Sequence, residues 1–168
     1  MITQILVAAA LLLAAAHEGV QAQDAVLPNA LVGSWRLMSY EDRRADGAVV
    51  YPYGRSPAGL LSYDSTGHMA IQIMKQPPPE VASDDWDKFT AVEKVALYDG
   101  YVAYFGRYEV DAGRRVVTHL PEADLSRLYM GRREERHFDL AGDRLVLSER
   151  WTQSGTEWSG VRAFVRLK

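Results

Sequence analysis

The chain has 168 residues, 24% of them charged, with a formal net charge of −3 and no cysteine. A near-neutral, acid-leaning chain lacks the basic footprint that nucleic acid demands, and without thiols it has neither disulfides nor a cysteine metal site. Its length suits a single domain with a sizeable core.

Residues 1–22, MITQILVAAALLLAAAHEGVQA, read as a secretory signal. Ile5 to Ala16 is an unbroken apolar run, and Val20-Gln21-Ala22 offers small residues for cleavage after Ala22. No Lys or Arg precedes the run. It is shorter than the ~20 apolar residues of a membrane span, so no stable membrane insertion is expected after cleavage. No Cys follows, which excludes a lipid-anchored lipoprotein. Removing the signal takes away one charged residue, Glu18, and leaves residues 23–168 with a net charge of −2. The expected location is the periplasm or the exterior.

The remaining chain reads as short strands: 33–41, 48–53, 58–64, 68–74, 102–110, 114–120, 131–140, 144–152 and 156–167. In the first, Trp35, Leu37 and Ser39 alternate with Arg36, Met38 and Tyr40. Between strands lie RADGA, DSTG, DAG, AGD and QSG, whose Asp, Ser and Gly supply hairpin conformations. One segment breaks the pattern. QPPPE at 76–80 is no central strand, because proline lacks the donor. After it, Thr90 and Glu93 form a capping box, and Phe89, Val92, Val95 and Ala96 fall at helical spacing. The spacing predicts a helix over 85–99 that covers or flanks a barrel mouth.

This order predicts an all-β fold: an antiparallel up-and-down barrel of about 8–9 strands, with one helix inserted between strands 4 and 5. Two stacked sheets would also manage the edges, but sequential hairpins favour closure. A barrel of about eight strands is wide enough for one small ligand.

Gly33-Ser34-Trp35 resembles the G-x-W of lipocalins and their calycin relatives. More narrowly, LVGSWRLMSYE, YPYGRSPAGLLSYDSTGHMAIQI, GYVAYFGRYEVD, VVTHL and RHFDLAGDRLVLS resemble the bacterial and fungal lipocalin-like domain proteins, in that family's order and over nearly all of 23–168. The segment PEADLSRLYMGRREE departs from the family pattern. The resemblance implies a barrel, small-molecule binding, and closure of one end by Trp35 packed on an Arg of the last strand, for which Arg166 is the candidate. Function is then sought at the opposite mouth.

Side-chain alternation supplies an inside list. Phe138 and Leu140 bring Arg136, Glu134 and Arg132 with them; Leu145 and Leu147 bring Glu149 and Trp151. Val117 shares a face with His119, and Tyr104 with Gly106, Tyr108 and Val110. Phe164 carries Arg162 and Arg166. One end of the barrel is expected to be greasy. The other would gather Arg136, Glu134, Glu149 and His119, with Tyr104 and Tyr108 nearby, as a pocket with convergent polar groups does. A structural Arg136–Glu149 ion pair fits the same pattern. The YPYGRSP loop adds Tyr53 and Arg55 as rim candidates.

Other chemistries find little support. His68, His119 and His137 lie on separate strands and do not face one another, so no metal site is expected. Ser39, Ser62 and Ser148 sit in ordinary strands without a nucleophile elbow. Gly54, Gly59 and Gly67 form no phosphate-cradling loop before a helix. A Glu134–Glu149 acid pair suits glycoside hydrolysis poorly, because nearby arginine keeps both ionised. No cofactor is implied.

Three readings remain. The first is an exported barrel that binds a small amphipathic or apolar molecule. The second is an enzyme on the same barrel, an isomerase, cyclase or hydrolase, with His119 moving a proton and Arg136 stabilising negative charge. The third is a filled barrel acting as a protein-interaction module.

Overall fold

Nine strands form in the order that the hairpin signals predict. The computed structural model describes residues 29–168, so the expected signal at 1–22 lies outside the described residues. The strands are β1 (Gly33–Arg44), β2 (Val49–Val50), β3 (Ala58–Tyr63), β4 (His68–Met74), β5 (Tyr101–Asp111), β6 (Val116–Asp124), β7 (Glu134–Ala141), β8 (Arg144–Gln153) and β9 (Thr156–Arg166). Every neighbouring pair is antiparallel. β1 also pairs with β9, from Trp35 opposite Arg166 to Arg44 opposite Trp158. That ladder closes β1 and β3–β9 into an eight-stranded barrel, with β2 an extra strand on the edge of β1. Closure removes the open edges that two stacked sheets would keep.

Several element boundaries differ from the sequence expectation: β1 runs on to Arg44, and β7 starts only at Glu134, which leaves Arg132 exposed outside the strand. The expected strand at 48–53 shrinks to Val49–Val50, because residues 52–56 turn. β6 runs on to Asp124 past Pro121, which is tolerated because it sits opposite Gly106 where the β5–β6 register shifts. The helix over 85–99 is split into a 3-10 turn at Trp86–Lys88 and α1 (Ala91–Asp99). Thr90 is extended, with its side chain accepting from Glu93 N–H while the Glu93 carboxylate accepts from Thr90 N–H. That reciprocal cap fixes where α1 starts. α1 flanks the mouth and does not cover it with its apolar residues: Val92 is 79% and Val95 58% exposed.

The barrel's two ends differ. β1 starts, and β9 finishes, at the end holding Trp35, where the Arg166 guanidinium lies 4.0 Å from the indole centre. The Trp35 Nε1–H donates to Leu31 O at 2.8 Å, and Arg166 donates to Val32 O and Ala30 O. Gly33 permits this closure: a Cβ there would meet Arg166 Nη1 at 2.7 Å. Above the plug, Leu37, Leu61, Tyr63, Met69, Val117, Phe138, Leu145 and Phe164 fill the interior. Each such burial stabilises the fold by ~1.5–3 kcal/mol.

One bulge decides the chemistry of the other end. The β1–β9 register shifts between Leu37 and Ser39, so that Leu37 faces Phe164 and Ser39 faces Ala163. Met38 is left 52% exposed. After the bulge the alternation inverts, and Tyr40 and Asp42 turn toward the interior instead of following Arg36 and Met38 outward.

Candidate ligand-binding site

The open end holds a small cavity of about 50 Å³ inside the barrel. Ile71 and Ile73 of β4, Val102 of β5, Leu147 of β8 and Phe164 of β9 form its apolar walls. Tyr40, Tyr104, Tyr129, Arg136, Glu149 and Arg162 supply the polar ones. Val102 and Tyr129 also line an outer cleft of about 210 Å³, bounded by Tyr53, Tyr98 and the 124–129 loop. Val102 and Tyr129 therefore border both cavity and cleft. A larger concavity of about 750 Å³ lies on the outer wall of β7–β9, where the β7–β8 ladder stops at His137 opposite Ser148. Its lining includes the strand-surface residues Glu135, His137 and Arg150, together with Glu149, which also borders the interior cavity. The smaller interior cavity is the better candidate, since enclosure by apolar walls with few polar groups is what holds a small molecule.

An ion-pair chain crosses the cavity. Arg136 Nε lies 3.3 Å from Glu149 Oε2, and Arg162 Nη2 donates to Glu149 Oε1 at 3.0 Å. Both Glu149 oxygens are therefore engaged by guanidinium groups. Arg162 Nη2 also lies 2.9 Å from Asp42 Oδ1, a charge contact without hydrogen-bond alignment. Arg162 Nη1 donates to Glu41 O, and the guanidinium sits 3.5 Å from the Tyr40 ring centre. Burial raises the Asp42 carboxyl above its usual value, and Arg162 draws it part of the way back. Arg136 donates through Nη1 to Glu134 O.

Beneath this chain lies a second polar unit. His119 is fully buried, with Tyr63 Oη 2.6 Å from Nε2 and Tyr104 Oη 2.8 Å from Nδ1. Burial, with the Arg136 charge added, pushes the imidazole pKa well below its usual value, so the ring is neutral. Burial likewise lifts the Tyr104 hydroxyl to about 12. Tyr104 lines the cavity; His119 does not.

Residues 32–166 match the model of the lipocalin-like domain. The chain belongs to the lipocalin-like domain family. No curated protein matches it.

In this lipocalin-like barrel the residues singled out by sequence separate into groups. Tyr104, Arg136 and Glu149 converge on the cavity, and Tyr53 lines the outer cleft. His119 stands one layer below, behind Tyr104. Glu134 contributes its backbone carbonyl to Arg136. Three others are not brought to the cavity. Tyr108 reaches the closed end, where its hydroxyl donates to Asp64 O at 2.7 Å. Trp151 stacks on its cross-strand partner Trp158. Arg55 lies 4.6 Å over the Tyr51 ring. Gly33, Trp35 and Arg166 are together at the closed end.

Sequence reasoning missed Tyr40, Asp42 and Tyr129 as cavity-end residues and left Arg162 off the ligand list. Period-two alternation points Tyr40 and Asp42 outward, and the bulge is not written in any local motif. Tyr129 arrives from an irregular loop where no periodicity applies. Asp124 is a further case: it lines the cleft, its Oδ1 holds Ser126, and its Oδ2 is buried with no hydrogen-bond partner among the described residues. The described residues contain no cluster of His, Cys, Asp and Glu suited to a metal, and no helix long and apolar enough to cross a membrane.

Proposed function

We propose that this lipocalin-like protein binds a small, mostly apolar molecule at its open mouth, with a slim polar tip in the barrel cavity and its body in the outer cleft. The observation that carries the reading is the cavity itself: five apolar residues facing six convergent polar ones, bordered at Val102 and Tyr129 by a tyrosine-rimmed cleft. The inner volume admits only a few heavy atoms, so most of the ligand must lie outside it.

The arrangement favours binding over acid–base chemistry. Glu149, the one carboxylate among the cavity-lining residues, has both oxygens engaged by Arg136 and Arg162. His119 is sealed behind Tyr104 and neutral. A general base must reach the proton it removes. Lower down the interior is filled, but the open end retains free volume, which favours a ligand over a purely surface role.

The export expected from residues 1–22 belongs to the same proposal. Mass spectrometry of the mature protein tests it, and a chain starting at Gln23 is the expected result. For binding, the test is native mass spectrometry of protein from its producing cell, followed by solvent extraction. A co-purifying small molecule that is lost in Val102→Phe, where the added ring fills space at a residue bordering both cavity and cleft, supports the reading. Equal retention in Val102→Phe locates the ligand elsewhere and overturns it.

A further inference from the structure

We infer that the tip recognised by the cavity is an uncharged carbonyl group, held by a hydrogen bond from the Tyr104 hydroxyl, whose proton is directed into the cavity by Tyr63 and His119. This rests on the small-molecule reading above and goes further by naming the chemical group bound.

The donor direction follows from hydrogen-bond accounting. A neutral imidazole has one N–H and one lone pair, so of the two tyrosines on His119 one must donate and one accept. Suppose Tyr63 accepted. Its own hydroxyl proton would then lie in the filled core with no acceptor among the described residues, an unsatisfied buried donor. Tyr63 therefore donates to Nε2, and Nδ1–H donates to Tyr104 Oη. Tyr104 is left with a proton to place, and it is the member of the trio that lines the cavity. Bonds running in one direction, Tyr63 to His119 to Tyr104, polarise one another and strengthen the terminal donor.

Charge and volume select the group that receives it. Arg136, Glu149, Arg162 and Asp42 form a chain of two cations and two anions that balances itself. A carboxylate ligand would bring an uncancelled negative charge into an enclosed cavity whose arginines already have carboxylate partners, which is costly. An alcohol's own proton would have to compete with two guanidinium groups for the Glu149 oxygens. A pure hydrocarbon would leave the Tyr104 proton unmet. A carbonyl accepts and asks for nothing back, and an acetyl-sized tip suits about 50 Å³. The ring or chain behind it would rest against Tyr53, Tyr98, Tyr101 and Tyr129 in the cleft.

Three phenyl probes of similar size separate the possibilities: acetophenone, ethylbenzene and benzoate, titrated by calorimetry into the folded protein. Acetophenone is expected to bind about tenfold more tightly than either of the others, the worth of one well-made hydrogen bond. In Tyr104→Phe the gap to ethylbenzene should close. Equal binding of acetophenone and ethylbenzene by the wild type would overturn the inference and leave the binding reading standing. Tighter binding of benzoate would overturn the neutral-tip assignment. If none of the three binds, this inference falls, while the small-molecule reading stands or falls on the co-purification test. A measurement on the wild type needs no folded variant: nitrogen NMR of the imidazole should find His119 protonated at Nδ1, and a proton at Nε2 would overturn the proposed direction.

Discussion

The Arg162 guanidinium lies 3.5 Å from the centre of the Tyr40 ring, directly across the β1–β9 ladder. The closed end repeats the device four residues later on β9, where Arg166 lies over Trp35. β1 spends five residues between its two aromatics and β9 only four between its arginines. The bulge at Met38 absorbs the difference. Both rings therefore face inward, and both guanidinium groups find the π-face that favours a cation.

Arg162 is the hub of the open-end network, so its loss should cost stability more than any surface ion pair. Arg162→Met leaves Glu149 and Asp42 partly buried without their shared partner. We expect a loss of ~3 kcal/mol, the lower end of the range for breaking a buried pair, because Glu149 keeps some contact with water. Adding Asp42→Asn should recover part of it, because that orphaned charge goes too, whereas Glu149 keeps Arg136 as a partner. Gly160→Ala is the subtler probe. Its Cβ would collide with the Arg162 guanidinium, which its partners prevent from swinging away. A loss of ~1–3 kcal/mol in urea unfolding is expected; an unchanged midpoint would show that the guanidinium is free to move.

At the closed end, Trp35→Ala should lower unfolding free energy by ~3–5 kcal/mol, as for other large core deletions. Arg166→Met keeps the stem over the indole but abandons two carbonyls, and should cost less, ~1–2 kcal/mol. Neither change should alter the affinity of any ligand at the open mouth beyond what partial unfolding explains. Equilibrium denaturation paired with calorimetry checks both statements.

Stability should fall on mild acidification because of His119. Its folded-state pKa is depressed by burial and by Arg136, whereas the unfolded chain titrates near 6.5. Below that pH the unfolded state binds a proton that the folded state refuses. The contribution is complete above pH 6.5 and declines by ~1.4 kcal/mol per pH unit as pH drops below it. Asp42 works in the opposite sense at lower pH: its carboxyl is raised in the fold, so the folded chain protonates first there. His119→Gln keeps a donor and an acceptor and should flatten the slope between about pH 6.5 and 5. A slope that survives the substitution would assign it to other groups.

The apolar residues of α1 should prove dispensable. Val92→Lys and Val95→Lys replace largely exposed side chains, so each should change stability by no more than ~0.5 kcal/mol. A larger destabilisation, read by thermal unfolding at several protein concentrations, would reveal that this helix face is covered in solution.

Strand order and an all-β antiparallel fold, with sequential hairpins favouring a barrel, were legible in the sequence alone, while the closed end was an expectation from the resemblance of Gly33-Ser34-Trp35 to the lipocalin G-x-W. Hairpin turns and period-two alternation are local properties, and they placed Arg136, Glu149, Tyr104 and His119 on inward faces. The capping box at Thr90 and Glu93 likewise marked a helix start, though the longer apolar spacing extended the expected helix back over Trp86. What only the tertiary structure decided is which inward groups meet. The register shift beyond Leu37 is set by β9, more than a hundred residues away in sequence, and it alone turns Tyr40 and Asp42 toward Arg162. Tyr63, Tyr104 and His119 come from three strands, and their shared hydrogen bonds exist only once the barrel closes. Alternation reports which way a side chain points; distance across a closed sheet depends on pairing, and no short stretch of chain contains its own partner.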